Sequence, residues 1–330
     1  MQKLFNTRIT ERFGIRLPVV AGGLQWLANA KYVAAAAHAG ILGFITAASF
    51  DDDKDLRQEI RKCRDLCAGR PFGVNISMLP KIASNDRVDA IVDLVVEERV
   101  AFVETSGRSP EAYLARLQGA GALVMHKVPA IKYALKAQEI GVDVVAIVGN
   151  ECAGHPGPHP VGTFVQAALA AQRLRIPYVV GGGVGTGAHL VAALAMGADG
   201  VLVGTRFLVA DEITSHPAYK QRLIASDETN TATILSSLRN TMRVLRNETV
   251  RQVQELERAG AGAEQLLPLV AGQIAKESYR TGDTDQGALS VGQAVAFANR
   301  IEPLAAIVDG LENEAREALG RLRRLASTFP

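Results

Sequence analysis

The chain has 330 residues, 48% of them hydrophobic and 21% charged, which is enough apolar material for a large core and excludes a disordered or fibrous protein. A formal net charge of +2 leaves no basic surplus for a row of phosphates, so no nucleic-acid partner is expected. With no signal-peptide pattern in MQKLFNTRITERFG, no 18-residue apolar run and only Cys63, Cys67 and Cys152 as thiols, the expectation is a cytoplasmic protein without a membrane partner or disulfides.

Short apolar runs rich in Val and Ile occur at 17–22, 41–46, 72–77, 102–105, 123–127, 142–148, 177–181 and 200–204. Between them lie stretches such as NAKYVAAAAHAG, DDKDLRQEIRKCRDLC, RVDAIVDLVVEER and GAHLVAALAMGAD, whose apolar residues recur every three or four positions. The first kind predicts strands and the second helices. Gly40, Gly121, Gly141 and Gly197 follow predicted helices and suit left-handed caps. Eight βα units with strands apolar on both faces predict an α/β fold, a closed (β/α)8 TIM barrel, with a doubly wound open sheet as the alternative. Past Leu208 the pattern turns charged and helical, with no strand-like run. This predicts a smaller helical domain at 210–280 at the barrel mouth, the barrel itself comprising 1–209 and 281–330.

The chemistry-bearing residues cluster after the predicted strands. YVVGGGVGTG (Gly181, Gly182, Gly183, Gly185, Gly187) and LVGTRF (Gly204, Thr205) close strands seven and eight, where barrels commonly hold a phosphate on backbone N–H groups. The G-x-G-x-x-A string inside the first is a poor dinucleotide fingerprint, because Asp199 precedes the next strand and does not end it. In NECAGHPGPHP after strand six, prolines and small residues hold His155 rigidly in a loop, suited to a general base or to an anion's hydrogen bond. His159 cannot share a helical face with His155 across the intervening prolines, so no metal is expected. Lys127, beside His126 at the end of strand five, and Asn75 in strand three are polar residues in apolar runs. Strand alternation puts one of His126 and Lys127 inside the barrel and the other outside. Gly22, Gly23 and Leu24 follow strand one, with Trp26, the only tryptophan, close behind.

Taken together, PVVAGGLQW, FGVNISMLP, HKVPAIKYALKAQEIGVD, ECAGHPG, GGGVGTG, LVGTRF, SLRNTMRVLRN and GDTDQGALSVGQ resemble the nitronate monooxygenase family, formerly the 2-nitropropane dioxygenases, over nearly the whole chain. The resemblance implies an FMN-dependent barrel oxidoreductase. It implies His155 as catalytic residue, and FMN-binding positions at Gly22, Gly23, Leu24, Asn75, Lys127, Ala153, Gly154, Gly182, Gly183, Gly204 and Thr205, with Gln293 near the flavin. Its small-molecule partners would be an alkyl nitronate with O2, or NADH and a quinone in the family's NADH:quinone reductase branch, with the loop at 77–82 around Pro80 as a nicotinamide gate. A third reading is a non-catalytic flavin-binding barrel. Leu24, Ala21, Val148 and Gly181 depart from residues expected in that branch, which leaves the substrate open. Oligomeric state also stays open, a homodimer being one option.

Overall fold

All eight apolar runs form strands in the computed structural model, which describes residues 3–78 and 87–326. Strands β1 (Val19–Ala21), β2 (Leu42–Thr46), β3 (Gly73–Met78), β4 (Phe102–Gly107), β5 (Leu123–Val128), β6 (Val144–Val148), β7 (Tyr178–Gly181) and β8 (Gly200–Val203) pair in parallel in chain order. Pairing of Val19, Val20 and Ala21 with Val201, Leu202 and Val203 closes the ring. This is a TIM barrel and not an open sheet, and closure leaves no sheet edge exposed. Helix α1 (Arg8–Arg12) precedes the barrel. The connecting helices are α2 (Ala30–His38), α3 (Asp53–Cys67), α4 (Val88–Glu97), α5 (Glu111–Gly119), α6 (Ile131–Glu139), α7 (Thr163–Arg173) and α8 (Gly187–Ala195). The gate expected around Pro80 lies largely outside the described residues.

Strand alternation sorts the core into two shells. Val20, Leu42, Phe44, Met125, Val144, Ala146, Val148, Val179 and Leu202 fill the interior above a floor of Ile9, Phe13 and Ile15, with Phe13 edge-on to Phe102 at 5.2 Å. The alternate positions, among them Val74, Val103, Val124, Val145, Val180 and Val201, pack against the helices. The outer shell buries Cys63 and Cys67, one helical turn apart on α3 with sulfurs 3.7 Å from each other. The four glycines expected as helix caps all take positive φ, between 79° and 94°.

The segment after β8 corrects the all-helical expectation. It contains α9 (Pro217–Ile224), then an antiparallel pair, β9 (Thr231–Ile234) and β10 (Met242–Leu245), before α10 (Glu248–Arg258), α11 (Ala263–Leu266) and α12 (Gly272–Thr281). The physical reason is visible in TATI and MRVL, which are short, rich in β-branched or apolar residues and separated by a turn with Leu235 and Arg239 at positive φ. Ala232, Ile234, Leu235, Val244, Val250, Val253 and Leu266 make a separate small core here.

The last helix, α13 (Leu304–Ala326), returns to the barrel and lies on α8 and α2. Gly187 makes the approach feasible: a β-carbon there would sit 2.1 Å from the Leu311 carbonyl oxygen and 2.3 Å from the Ala315 nitrogen. Its N–H donates instead to Glu314 Oε2 at 2.7 Å, while Arg16 pairs with Asp309 and Glu312 on the same helix. Arg206 to Glu302, 3.0 Å and largely buried, pins the segment leading into it. Gly187→Ala is therefore expected to cost about 1–3 kcal/mol through overpacking. A thermal melt no lower than that of the parent would contradict this reading of the α8–α13 contact.

Candidate active site

Parallel strands deliver their C-terminal ends to one mouth, and the inward-facing positions there change from apolar to polar. Asn75 on β3 is in register with Glu104 on β4, and Lys127 on β5 is in register with Ser106, one inward position beyond Glu104. Asn75 Nδ2 donates to Glu104 Oε2 at 2.5 Å, and Lys127 Nζ stands 3.2 Å from Glu104 Oε1. The second contact meets ion-pair distance without good hydrogen-bond alignment, since Oε1 has no directed donor. The Ser77 hydroxyl donates to Asn75 Oδ1 at 3.1 Å, which fixes the amide with its NH2 toward Glu104. Glu104 is wholly buried and the Lys127 side chain about a quarter exposed. His126 takes the outer face, its Nδ1 2.9 Å from the Thr105 hydroxyl, and burial lowers its pKa to about 4.

Gly22 and Gly23 end β1. A β-carbon on Gly23 would come within 2.9 Å of the Asn75 side chain and 3.0 Å of Thr46 Oγ1. The Thr46 hydroxyl is buried without a hydrogen-bond partner. Leu24 follows, facing Gly204 from the end of β8, where a β-carbon would have the Leu24 side chain at 3.7 Å as its nearest neighbour. Trp26 holds a positive φ of 68°, with Lys276 Nζ 4.6 Å from its ring. It lines a cleft of about 610 Å³ with His216, Lys276, Tyr279 and Arg280, set beside the strand ends and apart from the polar residues of the mouth.

The loop after β6 is held from three directions. Glu151 accepts from the Thr163 backbone N–H at 3.0–3.1 Å and from its hydroxyl at 3.0 Å, capping α7. Gln293 N–H donates to the Glu151 carbonyl at 3.0 Å, so the segment between α12 and α13 touches the loop directly. Gly154 and Arg243 form an antiparallel bridge, and Arg243 Nε donates to the Asn150 carbonyl at 2.9 Å. The hairpin that sequence periodicity missed is thus a brace for the His155 loop. His155 is exposed to water, but the surrounding protein is dense enough for partial desolvation to lower its pKa. It is neutral at pH 7 and can accept a proton.

Gly182 and Gly183, after β7, take φ of 96° and 73° in succession, so their N–H groups turn out of the strand direction. A β-carbon on Gly182 would lie 2.7 Å from Thr163 Oγ1 and 3.0 Å from the Gly149 carbonyl. Thr205 is buried beside Gly204, and its hydroxyl accepts from Gly292 N–H at 3.0 Å. Ala153 and Gly154 complete the rim, and a β-carbon on Gly154 would meet no protein atom within 4 Å. Every site residue expected from the sequence thus comes from a strand end, from the loop after one, or from the return segment touching them. Glu104, Glu151 with Thr163, Arg243 and Thr46 were not singled out from sequence. The signal for Glu104 was an acid in the apolar run FVETSG, in phase with Asn75 and Lys127.

Comparison with known proteins defines the class. Residues 6–314 match the nitronate monooxygenase family. The chain is 35% identical over 281 residues to (3aS,4S,5R,7aS)-5-hydroxy-7a-methyl-1-oxo-octahydro-1H-indene-4-carboxyl-CoA dehydrogenase of Mycobacterium tuberculosis, covering 84% of this chain and 76% of that one. It is 26% identical to the nitronate monooxygenase of Paraburkholderia phytofirmans over 95% of this chain and 96% of that protein. Among solved structures, FabK from Thermotoga maritima superposes with a TM-score of 0.89 at 30% identity, covering 97% of this chain and 99% of that one. This chain belongs to the nitronate monooxygenase family and is an oxidoreductase acting on small molecules. Membership implies a flavin cofactor. The residues fit one: bare glycine backbone at three strand ends, an unpartnered buried hydroxyl at Thr46, and two fixed polar groups at the mouth. No helix among the described residues is long and apolar enough to cross a membrane.

Because Gly182 combines positive φ with close contacts, Gly182→Ala is expected to weaken flavin binding roughly tenfold or more while leaving a folded barrel. Equilibrium dialysis of flavin against the parent and variant measures this, and equal affinities would remove Gly182 from the cofactor cradle.

Proposed function

We propose that the protein is an FMN-dependent oxidoreductase that takes electrons from a carbon acidified by an adjacent electron-withdrawing group, an alkyl nitronate or its parent nitroalkane with O2 as acceptor. The observation that carries this reading is His155, a neutral imidazole held rigidly at the mouth by the Glu151 and Arg243 contacts of its loop. In this reading the barrel comprises 1–209 and 281–330, and 210–280 caps its mouth.

Bound FMN would supply one- and two-electron redox chemistry. Gly182, Gly183, Gly204 and Thr205 would hold its phosphate through backbone N–H groups and the Thr205 hydroxyl. Gly22, Gly23 and Leu24 let a flat ring lie against bare backbone, and Asn75 and Lys127 would hold its polar edge. Ala153, Gly154 and Gln293 close the side next to His155. His155 takes the proton from the acidic carbon, or orients a substrate that arrives already ionised. Its neutral state favours the first role, because a neutral ring adds no positive charge for an anion.

A second reading rests on the 35% identity to the indene-carboxyl-CoA dehydrogenase. A thioester acidifies its α-carbon much as a nitro group does, so the same base and cofactor would dehydrogenate an acyl-CoA. The NADH:quinone alternative would use the same flavin residues, its expected gate lying largely outside the described residues. Anaerobic mixing of the yellow holoprotein with propyl-2-nitronate, an acyl-CoA or NADH separates these readings. Bleaching by the nitronate supports the first, bleaching by the thioester alone replaces it with the second, and bleaching by NADH alone overturns both.

Two outcomes are expected of His155. His155→Ala should retain flavin yet lose about 10²–10⁴-fold in kcat/KM on a substrate that must be deprotonated. Because its folded pKa lies below the usual imidazole value, the base form persists as pH falls below 6.5, and kcat/KM should decline only at lower pH. An acid limb at or above 6.5, or a fully active alanine variant, would assign the proton transfer elsewhere.

A further inference from the structure

Glu104 has no part in the mechanism above, yet it is the most deeply buried charged side chain at the mouth. Its two oxygens are divided between neighbours: Oε2 accepts from Asn75 and Oε1 faces Lys127 at 3.2 Å. The two residues it touches are those assigned to the polar edge of the flavin. A wholly buried carboxylate is costly unless paired, and a packing role alone would be served by an apolar residue of similar size. We infer that Glu104 is a positioning residue that tunes the cofactor: it fixes Lys127 and Asn75 and offsets much of the lysine charge, so that the flavin edge meets a nearly neutral pair.

This inference rests on the reading that the strand ends carry a flavin. Reduction adds negative charge to the ring, and a nearby cation favours the reduced form. At the low effective dielectric of a barrel interior a unit charge a few ångströms away is a large effect. Neutralising Lys127 through Glu104 therefore holds the potential below the value that an unpaired lysine would set. Asn75 reinforces the geometry, since its amide is held from the other end by Ser77.

The test is the midpoint potential of the bound flavin, measured by equilibration with reference dyes in holoprotein. Glu104→Gln keeps the shape and removes the charge. It is expected to favour reduced flavin by at least tenfold, a rise of about 30 mV for a two-electron couple. Lys127→Met is expected to shift the potential the opposite way. A pair that only supports the fold would lower the melting temperature without shifts of opposite sign. Where the Gln variant does not accumulate as folded holoprotein, Glu104→Asp draws the carboxylate back by one methylene and should give a smaller rise of the same sign. Unchanged potentials, or shifts of one sign in both variants, with flavin bound, overturn the inference. A parent protein that binds no flavin overturns the reading beneath it instead.

Discussion

Everything at the mouth depends on the pairing of β1 with β8. Three residues on each side close the ring, and closure brings eight parallel strand ends to one rim. An open sheet of the same strands would hold Gly23 and Gly204 at opposite edges. In the closed barrel Leu24 reaches Gly204, and Gly22 N–H donates to the Val203 carbonyl at 3.0 Å. The site is thus a consequence of closure, and its residues, scattered over more than two hundred positions, become neighbours through it.

Closure also explains the division between stability and chemistry. Below the rim the inward positions are aliphatic or aromatic and support the ring. Toward the C-terminal ends of β3, β4 and β5 the inward face carries Asn75, Glu104 and Lys127, with Asn75 hydrogen-bonded to Glu104 and Lys127 at ion-pair distance from it. Polar groups placed lower would lack partners and weaken the core; placed higher, they would be solvated and lose their electrostatic leverage. The loop bearing His155 is secured differently, by contacts from α7, the hairpin and the return segment. A general base on an unbraced loop would spend much of its time misplaced.

Much of this was legible in the sequence, for identifiable reasons. The strands were readable because runs such as VVAIV and GVLV are apolar on both faces, which only a doubly covered parallel strand requires. The glycine loops were readable because glycines clustered at strand ends mark backbone that other atoms approach closely, as at Gly23 and Gly182. The hairpin was not, because TATI and MRVL are four residues each and sit among charged helical segments that dominate any longer window. Glu104 stayed hidden because its importance comes from register: only pairing shows that it faces Asn75 and Lys127, whereas its neighbour Thr105 faces His126 on the outside. Arg243 was hidden for a similar reason, since one of its partners is the Asn150 carbonyl 93 residues away.

The central claim, that the strand ends form one flavin site, has a direct probe in Trp26, the only tryptophan, three residues beyond Gly23. Titrating flavin-free protein with FMN while following tryptophan emission should give saturable quenching with a one-to-one end point, as the flavin ring settles against Gly22 and Gly23. Emission that does not change on adding FMN to folded protein would contradict the account.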